Sequence, residues 1–176
     1  FAERAFPTLA ELNEEERDIL LTNYIMKFYI LDSFYRTRTT WGKIGRVIMW
    51  AVTSCADMGR HDLWLGEDQG GPNRETLISS MDSLLQVQLN VVVPLMVRAQ
   101  ITTKEFHAAM AFLLCETDDQ ADVSDTTMSV LNNIRAEVYH DLTDYYNDDI
   151  GLSDFSTRLG HLLTLNYSIR VNTAFS

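Results

Sequence analysis

The sequence predicts an all-α, layered helical domain, and three observations carry that prediction. Apolar residues recur at helical spacing through most of the chain, beginning with residues 13–36 and resuming from residue 74 onward. Two stretches open with a polar cap residue followed three positions later by glutamate, the pattern that satisfies the free N–H groups of a first helical turn. The non-helical signal is confined to one short apolar run, residues 47–52, and an expected hairpin partner at residues 61–65.

The central element is residues 13–36, NEEERDILLTNYIMKFYILDSFYR. Leu20, Tyr24, Phe28, Leu31 and Tyr35 form one helical line, with Ile19, Leu21, Ile25, Tyr29 and Ile30 on its flanks. A band this wide predicts a helix buried over most of its circumference, which requires other helices around it. Asn13 is placed as N-cap, Glu16 completes a capping box, and the acidic first turn suits the helix dipole. Ahead of it, residues 1–6 read as the tail of a helix stopped at Pro7, and residues 8–12 as a short connection. Behind it, the helical period disappears over residues 37–71. The run VIMWAV at residues 47–52 is expected to be a strand, residues 61–65 its hairpin partner, and DQGGPN at residues 68–73 a loop.

Helix resumes near Arg74 through Leu77, Met81, Leu84, Leu85, Leu89 and Val92, with a kink or break expected at Pro94. Thr102 and Glu105 form the second capping box, opening a helix that turns Phe106, Met110, Leu113 and Leu114 inward. Residues 116–122 are an acidic loop. Ser124 or Asp125 then caps a strongly periodic helix carrying Met128, Leu131, Ile134, Val138, Leu142 and Tyr145. Residues 147–154 read as loop, and a last helix carries Leu159, Leu162, Leu163 and Ile169.

A chain of 176 residues with 46% hydrophobic content is expected to form a single domain with a substantial core. Fourteen Lys+Arg against 25 Asp+Glu leave a net charge of -11, which argues against this segment gripping a phosphate backbone. Cys55 and Cys115 read as reduced, buried thiols of an intracellular protein. Residues 1–6 lack the basic and apolar regions of a signal peptide, and no stretch reaches the ~18 apolar residues a bilayer span needs. The chain begins without Met and is read as a fragment of a longer protein.

The opening stretch, FAERAFPTLAELNEEERDILLTNYIMKFYILDSFYR, resembles the signature of nuclear receptor ligand-binding domains: Phe/Trp-Ala-Lys, a Pro, a Leu, an acidic turn, then a Leu-Leu pair. ITTKEFHAAMAFLLC resembles the family's eighth helix, with Glu105 in the matching place. IRAEVYHDLTDYY, with Arg135, Val138 and Tyr139, is similar to the ninth, and STRLGHLLTL, with Arg158, to the start of the tenth. The wording LLTNYIMKFYILD resembles divergent, nematode-type receptors more than the steroid receptors. The resemblance implies a three-layer antiparallel helical sandwich with a ligand cavity in its lower half. It also implies that the chain starts late in the third helix and ends within the tenth or eleventh. The zinc-containing DNA-binding domain and the activation helix then lie outside it, so zinc and DNA contact are expected only through that other domain. The implied function is transcriptional regulation in the nucleus, without catalysis or membrane contact. The implied partners are a small hydrophobic ligand (fatty acid or steroid-like), coregulator proteins and a homo- or heterodimer partner.

Residue by residue, the resemblance puts Arg36 where some receptors hold a ligand carboxylate, a role suited to a bidentate guanidinium at the polar end of a greasy cavity. The plainer alternative is an arginine at a helix C-terminus, satisfied by carbonyls and water. The family's coregulator clamp holds an LxxLL helix with a lysine, a second basic residue and an apolar groove. Here those positions are Glu3, Thr22 and Asp18, with Arg4 or Arg17 as substitutes. Missing cations disfavour the ordinary clamp, because they cap the C-terminus of the bound helix. Residues 157–169 match the dimerisation surface, with Leu159, Leu162 and Tyr167 meeting a partner or facing the domain's own core. Lys27 reads as solvated.

Two other readings compete. Asp118, Asp119 and Asp122 fit the DDxxD pattern through which all-helical isoprenoid synthases bind Mg²⁺ and diphosphate, and Asn147-Asp148-Asp149 adds acid nearby. Such enzymes also need cations and a longer helical barrel, so solvated loop charge is the simpler account. The other is a ligand-independent interaction module with a filled core. His61, His107, His140 and His161 are scattered without metal-binding spacing, and His140 reads as surface.

Overall fold

The computed structural model describes residues 2–42, 45–60, 71–117 and 123–173. After a short helix α1 (Ala2–Ala5) and a 3₁₀ turn (Pro7–Glu11), Asn13 caps the long helix α2, its Oδ1 accepting the Glu16 N–H at 3.2 Å. Helix α2 spans Glu14–Trp41, past the expected end at Arg36, until Gly42 closes it at φ 68°, a left-handed conformation open to glycine. The reciprocal half of the expected capping box is replaced. Glu16 instead receives the Ser124 N–H and the Thr127 hydroxyl, capping the first turn of α6 (Asp125–Asp144) beside that helix's own N-cap, Ser124. These hydrogen bonds, the one from Thr127 foremost, hold the Glu16 carboxyl below its ordinary range.

Burial along α2 is uneven. Leu20, Ile30, Leu31 and Phe34 are in the core, whereas Leu21, Ile25 and Met26 lie open, so the expectation of a helix buried nearly all round is corrected for its first half. Lys27, expected in solvent, is only 3% exposed. It shares the inward line of Leu20, Leu31 and Phe34.

The strand prediction holds for β1 (Val47–Ala51), which pairs antiparallel with β2 (Ser54–Asp57) in the register Val47↔Asp57, Ile48↔Ala56 and Met49↔Cys55. The expected partner, residues 61–65, lies outside the described residues. The sequence SCAD shows little apolar alternation, so its pairing was not legible. The hairpin is tied to α2 by the Met49 N–H, which donates to Thr37 Oγ1 at 2.8 Å while that hydroxyl donates to the Ser33 carbonyl. Cys55 is exposed, correcting the expectation of two buried thiols. Cys115 is buried, and burial pushes its thiol up to about 12.

Helix α3 (Arg74–Val87) follows a 3₁₀ turn, Gly71–Asn73, within the expected loop, whose residues 68–70 lie outside the described ones. It passes through a π turn (Gln88–Val92) into α4 (Val93–Ala99). The expected interruption at Pro94 thus takes the form of a widened turn just ahead of it, which accommodates a ring with no N–H to donate. Arg38, late in α2, donates to the Met96 carbonyl at 3.2 Å and ties the two elements together.

Helix α5 (Thr103–Leu114) has the complete predicted capping box. Thr102 also receives a hydrogen bond from the Tyr145 hydroxyl at 3.0 Å. Thr102→Ala is therefore expected to lower unfolding stability by about 1–2 kcal/mol in denaturant titration, and a loss near zero would show the cap to be dispensable. Helix α6 ends in a π turn (Tyr145–Asp149), so the expected loop at 147–154 begins later than predicted. Helix α7 (Ser156–Thr173) buries Leu162, Leu165, Asn166 and Ile169 and leaves Leu163, expected inside, at the surface. Positions 162, 166 and 169 share one helical face, and 163 falls on the next.

The layers follow from these contacts. Helix α5 packs against both α2 and α6, and α7 packs against α2, α4 and α5. Among the described residues, no helix is long and apolar enough to cross a membrane.

Candidate functional site: an open apolar face on the central helix

The first half of α2 exposes neighbouring apolar side chains on a face they share with polar ones. Asp18, Leu21, Thr22 and Ile25 occupy one face at helical steps, with Met26 beside them. Leu21 is 39% exposed, Ile25 63% and Met26 49%. These are neighbours on a helix whose second half is packed tightly, which sets them apart from apolar residues scattered singly over a surface. Asp18 and Thr22 are exposed on this face, as are Glu14 and Glu15 one turn earlier. Arg4 is exposed on α1, and Arg17 is half-buried and engaged. The side chain of Glu3 lies outside the described ones.

Arg36 is placed differently from either expectation. The helix continues to Trp41, so Arg36 does not cap a C-terminus. Its Nε donates to Asp32 Oδ2 at 2.6 Å, one turn back on the same helix, and that hydrogen bond holds the guanidinium proton more tightly. The Asp32/Arg36 spacing was visible in the sequence as a helical i,i+4 pair.

A cleft of about 470 Å³ lies between α5 and α6. Ala108, Ala111, Val138 and Leu142 are among its apolar lining, while Asp144 and Asp148 are among its acids. Lys104, also in its wall, is held by Asp149 and stands 4.7 Å from the Tyr145 ring centre. Arg36 does not line this cleft.

The frame is fixed by a buried polar hub. Glu105, 1% exposed, accepts from Arg158 Nε, from Arg158 Nη2 at 2.7 Å, from the Tyr146 hydroxyl at 2.9 Å and from the Thr102 N–H at 2.7 Å. Burial is the largest single influence on its carboxyl and pushes it up. The donors together outweigh it, so the carboxyl sits below its ordinary range. The sequence marked Glu105 as a capping residue, but nothing in it disclosed that Arg158 on α7 would be its partner.

Of the three residues expected at a dimer surface, Leu162 is fully buried and Leu159 is half-buried against the core. Only Tyr167 stands out, 58% exposed, with the Arg170 guanidinium 5.3 Å from its ring centre. Asp118, Asp119 and Asp122 lie outside the described residues. Among the described ones, no group of three or more His, Cys, Asp or Glu side chains is arranged to hold a metal. His140 is at the surface, 3.1 Å from Asp144.

The family profile described as the ligand-binding domain of nuclear hormone receptors matches residues 1–174. No curated protein matches the chain. Among solved structures, the Ultraspiracle ligand binding domain from Drosophila melanogaster superimposes with a TM-score of 0.72 at 13% identity. That match covers 97% of this chain and 62% of the Ultraspiracle chain. At this identity the likeness is one of fold, and the chain spans less than two-thirds of that structure.

Proposed function

This chain belongs to the family of nuclear hormone receptor ligand-binding domains, and from that premise we propose that the open face of α2 captures an amphipathic helix of a coregulator protein. The single observation behind this reading is the group of neighbouring exposed apolar side chains, Leu21, Ile25 and Met26, on the first half of the central helix. A partner helix laying its own leucines there removes both apolar surfaces from water. With Glu3 and Thr22 at the positions where the family carries cations, capture depends on apolar contact and not on a charge clamp.

In this reading the full-length protein is a nuclear transcription regulator, contacting DNA through a zinc-containing domain outside this chain. A small hydrophobic ligand changes coregulator affinity only to the extent that it binds one conformational state more tightly than another. An acidic ligand at Arg36 would share the guanidinium with Asp32, already 2.6 Å from its Nε, so the docking face is preferred over Arg36 as the functional site. Pairing with a second receptor through α7 is carried by Tyr167, not by Leu162, which the core already occupies.

The experiment is peptide binding to the full-length protein. Ile25→Glu is expected to weaken a fluorescent LxxLL peptide by about tenfold or more, with little change in melting temperature because the side chain is already solvated. Unchanged affinity, or loss of the fold, would sink the proposal.

A further inference from the structure

We infer that the docking face of α2 selects a partner helix whose apolar core is flanked by lysine or arginine, the opposite charge preference from a clamp built of fixed cations. This inference rests on the proposed docking role and adds the chemistry of the partner. Asp18 is exposed one turn before Leu21 and Thr22, on the same face. Glu11, Glu14 and Glu15 continue the acid beyond it, all exposed, against Arg4 and the half-buried Arg17. The helix's own positive end offsets Glu14 and Glu15 in its first turn, but Asp18 lies beyond that turn, where the dipole offsets it less. Thr22 adds no cation within the face. The N-terminal end of the apolar strip is therefore bordered by acid within a chain of net charge -11.

Two consequences follow for a bound helix. Cationic flanks gain attraction at the rim, where individual exposed pairs are weak but several act together and are screened by salt. The partner's positive N-terminal end also points towards Asp18, because that orientation aligns its dipole with the acid.

The test uses the full-length protein and three fluorescent peptides sharing one Leu-x-x-Leu-Leu core, with flanks of Lys/Arg, of Ser/Gln or of Asp/Glu. In low salt the basic-flanked peptide is expected to bind about tenfold tighter than the acidic-flanked one, the neutral peptide falling between. At roughly 0.5 M salt the spread narrows to within about threefold. Asp18→Lys removes or reverses the preference, read as the ratio of basic-flanked to acidic-flanked affinity, and an unchanged ratio overturns the charge preference. Equal affinities, or tightest binding by the acidic peptide, overturn the charge preference and leave the docking role standing. If no peptide binds and Ile25→Glu changes nothing, the docking role fails and this inference fails with it.

Discussion

Replacing Arg158 with methionine is expected to lower the unfolding free energy by about 3–5 kcal/mol, one of the two largest losses any single change here should produce. The reason is the carboxylate left behind. Glu105 is almost wholly buried and receives two of its four hydrogen bonds from the Arg158 guanidinium. Without that partner, the Tyr146 hydroxyl and the Thr102 N–H remain, and they do not neutralise a charge held away from water. Adding Glu105→Gln to Arg158→Met should restore part of the loss, because the uncompensated charge goes too. Guanidinium denaturation of the four members of this cycle measures the coupling. A single-mutant loss below about 1 kcal/mol would show that the hub is hydrated and contributes little.

The same hub gives a pH dependence of definite sign. The folded-state pKa of Glu105 lies below its ordinary 4.5. Its contribution is thus fully present above about pH 4.5 and disappears as pH falls through the depressed folded value. The stability difference between the native chain and Glu105→Gln should therefore shrink on acidification below that point.

The second large effect is expected at Phe34. Phe34→Ala removes a ring that is 1% exposed at the heart of α2, and should cost about 3–5 kcal/mol by lost burial and a residual cavity. Ile25→Ala, nine residues earlier on the same helix, should change stability by no more than about 0.5 kcal/mol. Comparable losses at the two positions would mean that the face of α2 carrying Ile25 is packed like the core, and the docking role would lose its basis.

That contrast also marks how far the site was legible. Sequence periodicity identified α2 as central and listed Leu20, Ile25 and Leu31 together as one apolar band, yet Ile25 is open and Leu31 sealed. Hydrophobicity says which side chains gain by leaving water, but not which of them a neighbouring helix reaches. Lys27 failed in the other direction, since a charged type was assigned to solvent although its helical position faces inward. For the dimer surface, the resemblance placed Leu159, Leu162 and Tyr167 together, and the helical period separates buried Leu162 from exposed Tyr167, with half-buried Leu159 between them.

What the amino-acid order determined by itself is everything that depends on near neighbours. The caps at Asn13, Thr102 and Ser124, the disturbance before Pro94, and the helical identity of most of the chain were all readable, because each is decided within one or two turns of backbone. Tertiary structure alone decided the pairings across long stretches of chain: Glu16 with the start of α6, Glu105 with Arg158, Thr37 with β1, and the half of α2 that stays open. Hydrogen bonds and burial between distant segments are settled by how helices pack in three dimensions, and the local sequence of either partner carries no record of the other.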